Sequence, residues 1–264
     1  MSAHLLACVD PGVNDRVAGA LQTRHSGEMD RMQDEGSAVV IGASGGVGAA
    51  LAQALEGSGR FAEVHRFARS FSGKAHLDLE DEASIRAAAS RVAEGPAATV
   101  VIVATGVLHS GRQPERSYKA LEAEHLLRDY RVNTVGPAMV AKHFLAGMPR
   151  DRRAVFAALS ARVGSISDNR LGGWHSYRSS KAGLNMVIRN LAIELARSHP
   201  QMIVTGLHPG TVRTGLSEPF QKGVPPEKLF TPTQSAAQLM TVIESLTPGD
   251  SGGVFAWDGA RIPA

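Results

Sequence analysis

From Ser37 onward, short apolar runs alternate with stretches whose apolar residues return at helical spacing. Ala38-Val39-Val40-Ile41 is a β-branched run that stops at Gly42, and small and apolar residues at helical spacing follow over 47–55. Residues 61–67 read as a second strand, 75–79 as a weak third, and 82–92 as an Ala-rich helix. Thr99-Val100-Val101-Ile102-Val103 is apolar on both faces, as a strand buried in a parallel sheet is. A long helical pattern over 118–145 is interrupted near Gly136-Pro137. A strand is expected over 154–159, a long helix over 177–198 and a strand over 202–207. Thr231-Pro232-Thr233-Gln234 opens a further helix: Thr caps, Pro fits the first position, and Gln can reach back to the cap. Residues 253–256 form a last strand. A run of βα units with no Pro/Gly/Ser linker predicts one doubly wound α/β domain over 36–264.

Residues 1–35 are polar and carry no sustained period. They are expected to be a disordered extension, or the product of an over-long gene start with Met29 or Met32 as the true beginning. His4-Leu5-Leu6-Ala7-Cys8 lacks the basic region and the apolar length of a secretory leader.

Composition removes several function classes. The single cysteine excludes an internal disulfide framework and a multi-cysteine zinc site, and none of the ten histidines forms a ligand-spaced pair with acids, so no metal is expected. The net charge is +3 with Lys and Arg scattered; the longest basic cluster, Arg150, Arg152 and Arg153, has Asp151 inside it. No nucleic-acid partner is expected. No apolar run approaches ~20 residues, so no membrane span is expected either. A cytoplasmic location and a small-molecule partner go with this reading.

Two motifs carry chemistry. Gly42-Ala43-Ser44-Gly45-Gly46-Val47-Gly48 lies between the first strand and the first helix. Glycines there permit a tight turn and close approach to a pyrophosphate, which the free N–H groups of the helix N-terminus would hold. The spacing is Gly-x-x-x-Gly-x-Gly, and no Lys-Ser/Thr follows as a Walker loop needs. Tyr177 and Lys181 stand four residues apart, on one helix face. A phenol of pKa near 10 transfers protons poorly at neutral pH, and an adjacent ammonium is expected to lower it. A shift of ~3 units corresponds to about 4 kcal/mol.

These motifs, in this order and about 130 residues apart, resemble those of the short-chain dehydrogenase/reductase superfamily. The resemblance covers roughly residues 37–264. The segments Gly164-Ser165-Ile166-Ser167-Asp168-Asn169 and Phe255-Ala256-Trp257-Asp258-Gly259 are similar to those of its C-factor and sniffer-like carbonyl reductase group. It implies a single Rossmann-type domain with a central, mostly seven-stranded parallel sheet. It further implies that Asn133 holds a water relaying protons to Lys181, and that His208-Pro209-Gly210-Thr211-Val212-Arg213-Thr214 covers the nicotinamide, with Pro209, Gly210, Thr211, Val212 and Thr214 as its neighbours. Asp78 would meet the adenine, and Ala104, Thr105 and Gly106 would approach its ribose. Gly42, Ser44, Gly45, Gly46, Val47 and Gly48 would cradle the pyrophosphate, and Lys181 would also hold the nicotinamide ribose. The family often assembles as homodimers or homotetramers.

The chain departs from the pattern at one chemical position. The family's catalytic Ser, three residues before Gly164, is Ala161 here, with Ser160 one residue earlier. A one-residue shift on a strand turns a side chain to the opposite face. Either Ser160 serves, or Ser165 or Ser167 replaces it, or the function is lost; Ser160 is the favoured reading. Val103-Ala104-Thr105-Gly106 stands for the family's Asn-Asn-Ala-Gly, and Trp174 and His175 precede the Tyr.

Strand two runs into Phe67-Ala68-Arg69-Ser70, and the only nearby acid, Glu63, comes too early to meet a ribose 2′-hydroxyl. Arg69 would pair a 2′-phosphate, so NADP(H) is favoured over NAD(H). The expected reaction is NADPH-dependent carbonyl reduction with Tyr177 as acid and Lys181, Asn133 and Ser160 in support. A substrate lid is expected near 216–230. The alternative is an NADP-binding regulatory or signalling protein with little turnover.

Overall fold

The computed structural model describes residues 34–108 and 113–264. The expectation for residues 1–35 therefore falls almost wholly outside the described residues.

The first strand, β1 (Asp34–Ile41), leads through the Gly-rich turn into α1 (Gly46–Gly57), β2 (Phe61–Phe67), α2 (Glu82–Val92) and β3 (Ala98–Val103). Next come α3 (Ala123–Tyr130), α4 (Gly136–Phe144), β4 (Ala154–Leu159), α5 (His175–Leu195) and β5 (Met202–His208). The short strands β6 (Thr211–Val212) and β7 (Leu229–Phe230) precede α6 (Pro232–Ser245), β8 (Val254–Ala256) and β9 (Arg261–Ile262). Seven strands form one sheet in the order β2-β1-β3-β4-β5-β8-β9. All its pairings are parallel except that of β8 with β9.

Alternating strand residues supply two apolar layers. Val101, Val103, Phe156, Ala158, Met202 and Val204 pack with α2, α4 and α5 through Ile85, Val140, Leu184 and Ile188. Val100, Ile102, Val155, Ala157, Ile203 and Leu207 pack with α1 and α6 through Leu51, Leu55, Leu239 and Val242. Strands buried on both faces explain the unbroken apolar runs. The capping box is present: Gln234 N–H donates to the Thr231 hydroxyl at 3.2 Å and Thr231 N–H to Gln234 Oε1 at 2.9 Å.

Three expectations need correction. Residues 75–79 form no strand of the sheet; a short 3₁₀ turn, Gly73–Ala75, and a single bridge from His76 to Ala68 stand there instead. The chain needs only to return toward the β2 end, and Asp78 is held by turn hydrogen bonds with Ser84. The helix expected over 118–145 is divided: a 3₁₀ turn, then α3, then one wide π turn, Arg131–Val135, before α4. Pro137 has no N–H to return to the carbonyl four residues back, so the regular ladder fails at Asn133. The two-residue β9 carries too little pattern to read, and its antiparallel pairing ends the sheet.

The strand order reverses between β1 and β3, and ligands of open α/β sheets bind at such a switch point, beyond the carboxyl ends of the strands. Gly42 and Ala104 lie there, tied by an Ala104 N–H to Ile41 carbonyl bond of 2.7 Å.

Candidate active site

Two adjoining clefts of about 280 and 290 Å³ open at this switch point. Gly45, Ala104, Thr105 and Gly106 line both, so the two make one trough.

At one end lie Ser44, Ala68, Arg69, Ser70, Asp78, Arg128 and Val132. Arg66 is ion-paired with Glu56, and Glu63 faces His65, so neither joins the wall. Arg69 is the basic group that the turn after β2 gives to the trough.

The middle is the Gly-rich turn. Gly42 has φ +90°, and a Cβ there would come within 2.8 Å of the Ala104 carbonyl. A Cβ on Gly48 would run into the Gly42 carbonyl oxygen. No acidic side chain occupies the first turn of α1, and the cap residue Gly45 contributes no side-chain hydrogen bond. That helix end is therefore free for an anion.

At the other end, Gly46, Val47, Gly48, Ser160, Tyr177, Lys181, Pro209, Gly210, Val212 and Thr214 meet, with Leu216 and Ser217. Thr211 is the exception among the residues expected here: it pairs with Leu229 in β6 and is not part of either cleft wall. Its place on a strand sends it away from its neighbours Gly210 and Val212.

Tyr177 and Lys181 are both buried in the first two turns of α5. The Lys181 Nζ lies 5.9 Å from the Tyr177 ring centre and donates to the Leu159 carbonyl at 2.7 Å. Asn133 is wholly buried in the π turn. It accepts from Val107 N–H at 2.9 Å and donates to the Val107 carbonyl at 2.9 Å and to the Ser180 hydroxyl at 3.0 Å. A Cβ on Gly106 would stand 3.5 Å from both Asn133 Oδ1 and Lys181 Nζ, so these two groups converge on one glycine.

The ionisation of Tyr177 runs opposite to the sequence expectation. Burial, and then the nearby Asp129 charge, push its phenol above the ordinary range. Lys181 is itself lowered to about 8 by burial, against the raising influence of Asp129. Desolvation penalises the charged form of each and is the largest influence on both. Tyr177 is consequently a neutral phenol at neutral pH.

Ser160 reaches the wall of the cleft, but its hydroxyl donates to Asn185 Oδ1 at 2.6 Å. The strand alternation places it on the α5 side, below Ala158, and Ala161 packs against Tyr177 and Leu108. The Ser165 and Ser167 hydroxyls both bond the Ala264 carbonyl, at the chain's end.

Sequence reasoning missed Asp129, Glu115, Asn185 and Arg128. Asp129 is buried, and desolvation followed by the Glu115 charge raises its carboxyl to about 6. Its only sequence signal was an acid one helical turn before Asn133. Glu115 and Asn185 carried none, because fold alone brings them to α5 and β4.

Residues 37–224 match the family model described as short chain dehydrogenase. The chain belongs to that family. As a short-chain dehydrogenase it is an NAD(P)-dependent oxidoreductase. It is 30% identical over 230 residues to 1-hydroxy-2-glutathionyl-2-methyl-3-butene dehydrogenase of Rhodococcus sp. (strain AD45), covering 84% of this chain and 96% of that one. It is 33% identical over 139 residues to C-signal of Myxococcus xanthus, covering 52% of this chain and 78% of that protein. Among solved structures, NADPH-bound carbonyl reductase from chicken fatty liver superposes with a TM-score of 0.73 at 24% identity, covering 88% of this chain and all of that one. Carbonyl reductase Sniffer of D. melanogaster does so with 0.70 at 21%, covering 87% and 99%. These likenesses bear out the short-chain dehydrogenase/reductase resemblance and its fold.

The trough fits a dinucleotide on its own features. The glycine cradle would be filled by any Cβ, and the Thr105 hydroxyl oxygen is buried without a hydrogen-bond partner although Thr105 lines both clefts.

Proposed function

We propose that this short-chain dehydrogenase reduces a ketone or aldehyde to the alcohol with NADPH. The observation that carries this reading is the trough itself. It joins Arg69 and Asp78 at one end to Tyr177 and Lys181 at the other, with Asn133 buried behind Gly106 and lining neither cleft.

The cofactor, when bound, supplies the hydride. Gly42, Ser44, Gly45, Gly46, Val47 and Gly48 hold its pyrophosphate at the α1 N-terminus, Asp78 and Gly106 meet its adenosine half, and Arg69 pairs the 2′-phosphate. Pro209, Gly210, Val212 and Thr214 form the wall against the nicotinamide. Tyr177 presents a neutral phenol and donates its proton to the oxygen that gains charge as the carbonyl is reduced. Lys181, held by the Leu159 carbonyl, stabilises the phenolate left behind. Asn133 locks the segment after β3 to α5, so that Lys181 stays at the trough and protons can return to Tyr177. Ser160 supports the substrate oxygen only when its hydroxyl turns from Asn185. Its loss therefore costs less than loss of Tyr177. Residues 216–230 lie over the nicotinamide end as a lid, with Leu216 and Ser217 in the cleft wall.

The test follows NADPH and NADH oxidation by the purified protein with a panel of aldehydes, ketones and quinones, beside Tyr177→Phe. Turnover with NADPH that falls at least ~100-fold in the variant, with NADPH binding kept, is expected. A second reading, an NADP-binding signalling protein, is favoured by the tied Ser160 hydroxyl and the likeness to C-signal. It predicts tight NADPH binding without turnover on any of these carbonyls.

A further inference from the structure

Tyr177 stands in the first turn of α5, and that turn has no cap of its own. The residue before the helix is Trp174, whose side chain makes no capping hydrogen bond and whose φ is +49°. It is the single non-glycine residue of positive φ among the described residues, and it follows Gly172 and Gly173 at +62° and +64°. A bulky side chain rarely adopts this conformation and persists there only when its surroundings hold it.

Glu115, 61 residues before Ser176, supplies that hold. Its main-chain carbonyl accepts from Trp174 N–H at 2.5 Å. One carboxylate oxygen accepts from Ser176 N–H at 3.3 Å, and the other accepts from the Ser176 hydroxyl. The carboxylate is buried at the positive end of a 21-residue helix. Burial pushes its carboxyl up, but the bonds from Ser176 outweigh this and leave it below the usual range. Fixed in this way, the Trp174 ring meets the Tyr177 ring edge-on at 6.4 Å. Both join Leu108, Ala161 and Val163 in one apolar cluster.

We propose that Glu115 is a positioning residue for the reaction: it caps α5 from outside the helix, locks Trp174 in its turn and thereby fixes the Tyr177 phenol in the cleft. This rests on Tyr177 being the proton donor. Glu115 lies on neither cleft wall, so its loss falls on kcat and spares cofactor binding.

The test compares Glu115→Ala, Glu115→Gln and Ser176→Ala in the full chain. It reads kcat and KM, NADPH Kd and the thermal midpoint. The same changes are made in a Trp257→Phe background, where Trp174 is the only tryptophan and its emission reports the turn. Glu115→Ala is expected to lower kcat at least tenfold, leave NADPH Kd within twofold and shift Trp174 emission to the red. Glu115→Gln should recover much of both signals, because its amide oxygen still accepts from Ser176 N–H. Undiminished kcat, or unshifted emission, in folded Glu115→Ala overturns the proposal. If Glu115→Ala does not fold, Ser176→Ala decides, a partial loss of kcat with shifted emission supporting the proposal and wild-type values for both overturning it. Absence of turnover in the wild-type protein overturns the reductase reading and this role together. Trp174 emission then still decides the clamp, a red shift supporting it and none refuting it.

Discussion

At Tyr177 the protein keeps a phenol dry, and at Asp129 it keeps a carboxyl dry close by. Burial favours the neutral form of both: at neutral pH it leaves Tyr177 an uncharged phenol, and it leaves Asp129 an acid whose ionisation opposes folding. The Asp129 carboxyl titrates at about 6 in the fold against an ordinary 3.8. Between those values the folded chain binds more protons than the unfolded chain, so stability falls as pH rises through this window. Asp129→Asn removes the cost. It should raise the thermal midpoint at pH 7.5 by a few degrees, on the order of 1–2 kcal/mol, and the gain should vanish as pH falls below about 4. A gain that is independent of pH would count against this account. Arg69 offers a second residue-scale test. Arg69→Ala should lower kcat/KM with NADPH by ten- to a hundredfold and leave NADH nearly unaffected, since only NADPH carries the extra phosphate.

The elements that build the site are held together by close backbone approach. Gly48 lets α1 start directly over the Gly42 carbonyl, and Gly164 lets the turn after β4 lie against Lys181, whose Cβ would be 2.8 Å from an added Cβ. Gly48→Ala should therefore destabilise the fold by about 1–3 kcal/mol and weaken NADPH binding, read by thermal melts and titration. Thr231→Ala, which removes one half of the α6 capping box far from the chemistry, should cost about 1 kcal/mol with kcat unchanged. The π turn before α4 is an element-scale device of another kind. It places Asn133 where three hydrogen bonds tie the segment after β3 to α5.

Over the whole molecule, a sheet buried on both faces carries a trough at the one place where its strand order reverses. The segment over 216–230, which gives Leu216 and Ser217 to the cleft wall and is proposed as a lid, consists of 3₁₀ turns and the short strand β7 paired with β6, with few regular hydrogen bonds to hold it. It should be the first site of limited proteolysis within residues 34–264, and saturating NADPH should slow that cut severalfold. An unchanged cleavage rate would remove the lid from the proposal. No helix among the described residues is long and apolar enough to cross a membrane, and among them no group of three or more His, Cys, Asp or Glu could hold a metal ion.

Sequence by itself determined those features whose cause is local. Alternating apolar runs gave the strands, because a buried parallel strand must be apolar on both faces. Thr231 and Gln234 marked the start of α6, because a helix end needs acceptors close in the chain. Tyr177 and Lys181 were legible as a pair because helical spacing alone puts them together. Tertiary structure decided whatever depends on distant partners. It set the Tyr177 phenol above its ordinary range, because burial and then the Asp129 charge disfavour the phenolate. It turned the Ser160 hydroxyl onto Asn185, because strand alternation meets α5 on that side. It brought Glu115 to the α5 N-terminus across 61 residues of chain, a contact with no period or motif to announce it. Local pattern is written in covalent order, whereas desolvation and long-range hydrogen bonds exist only once the layers have packed.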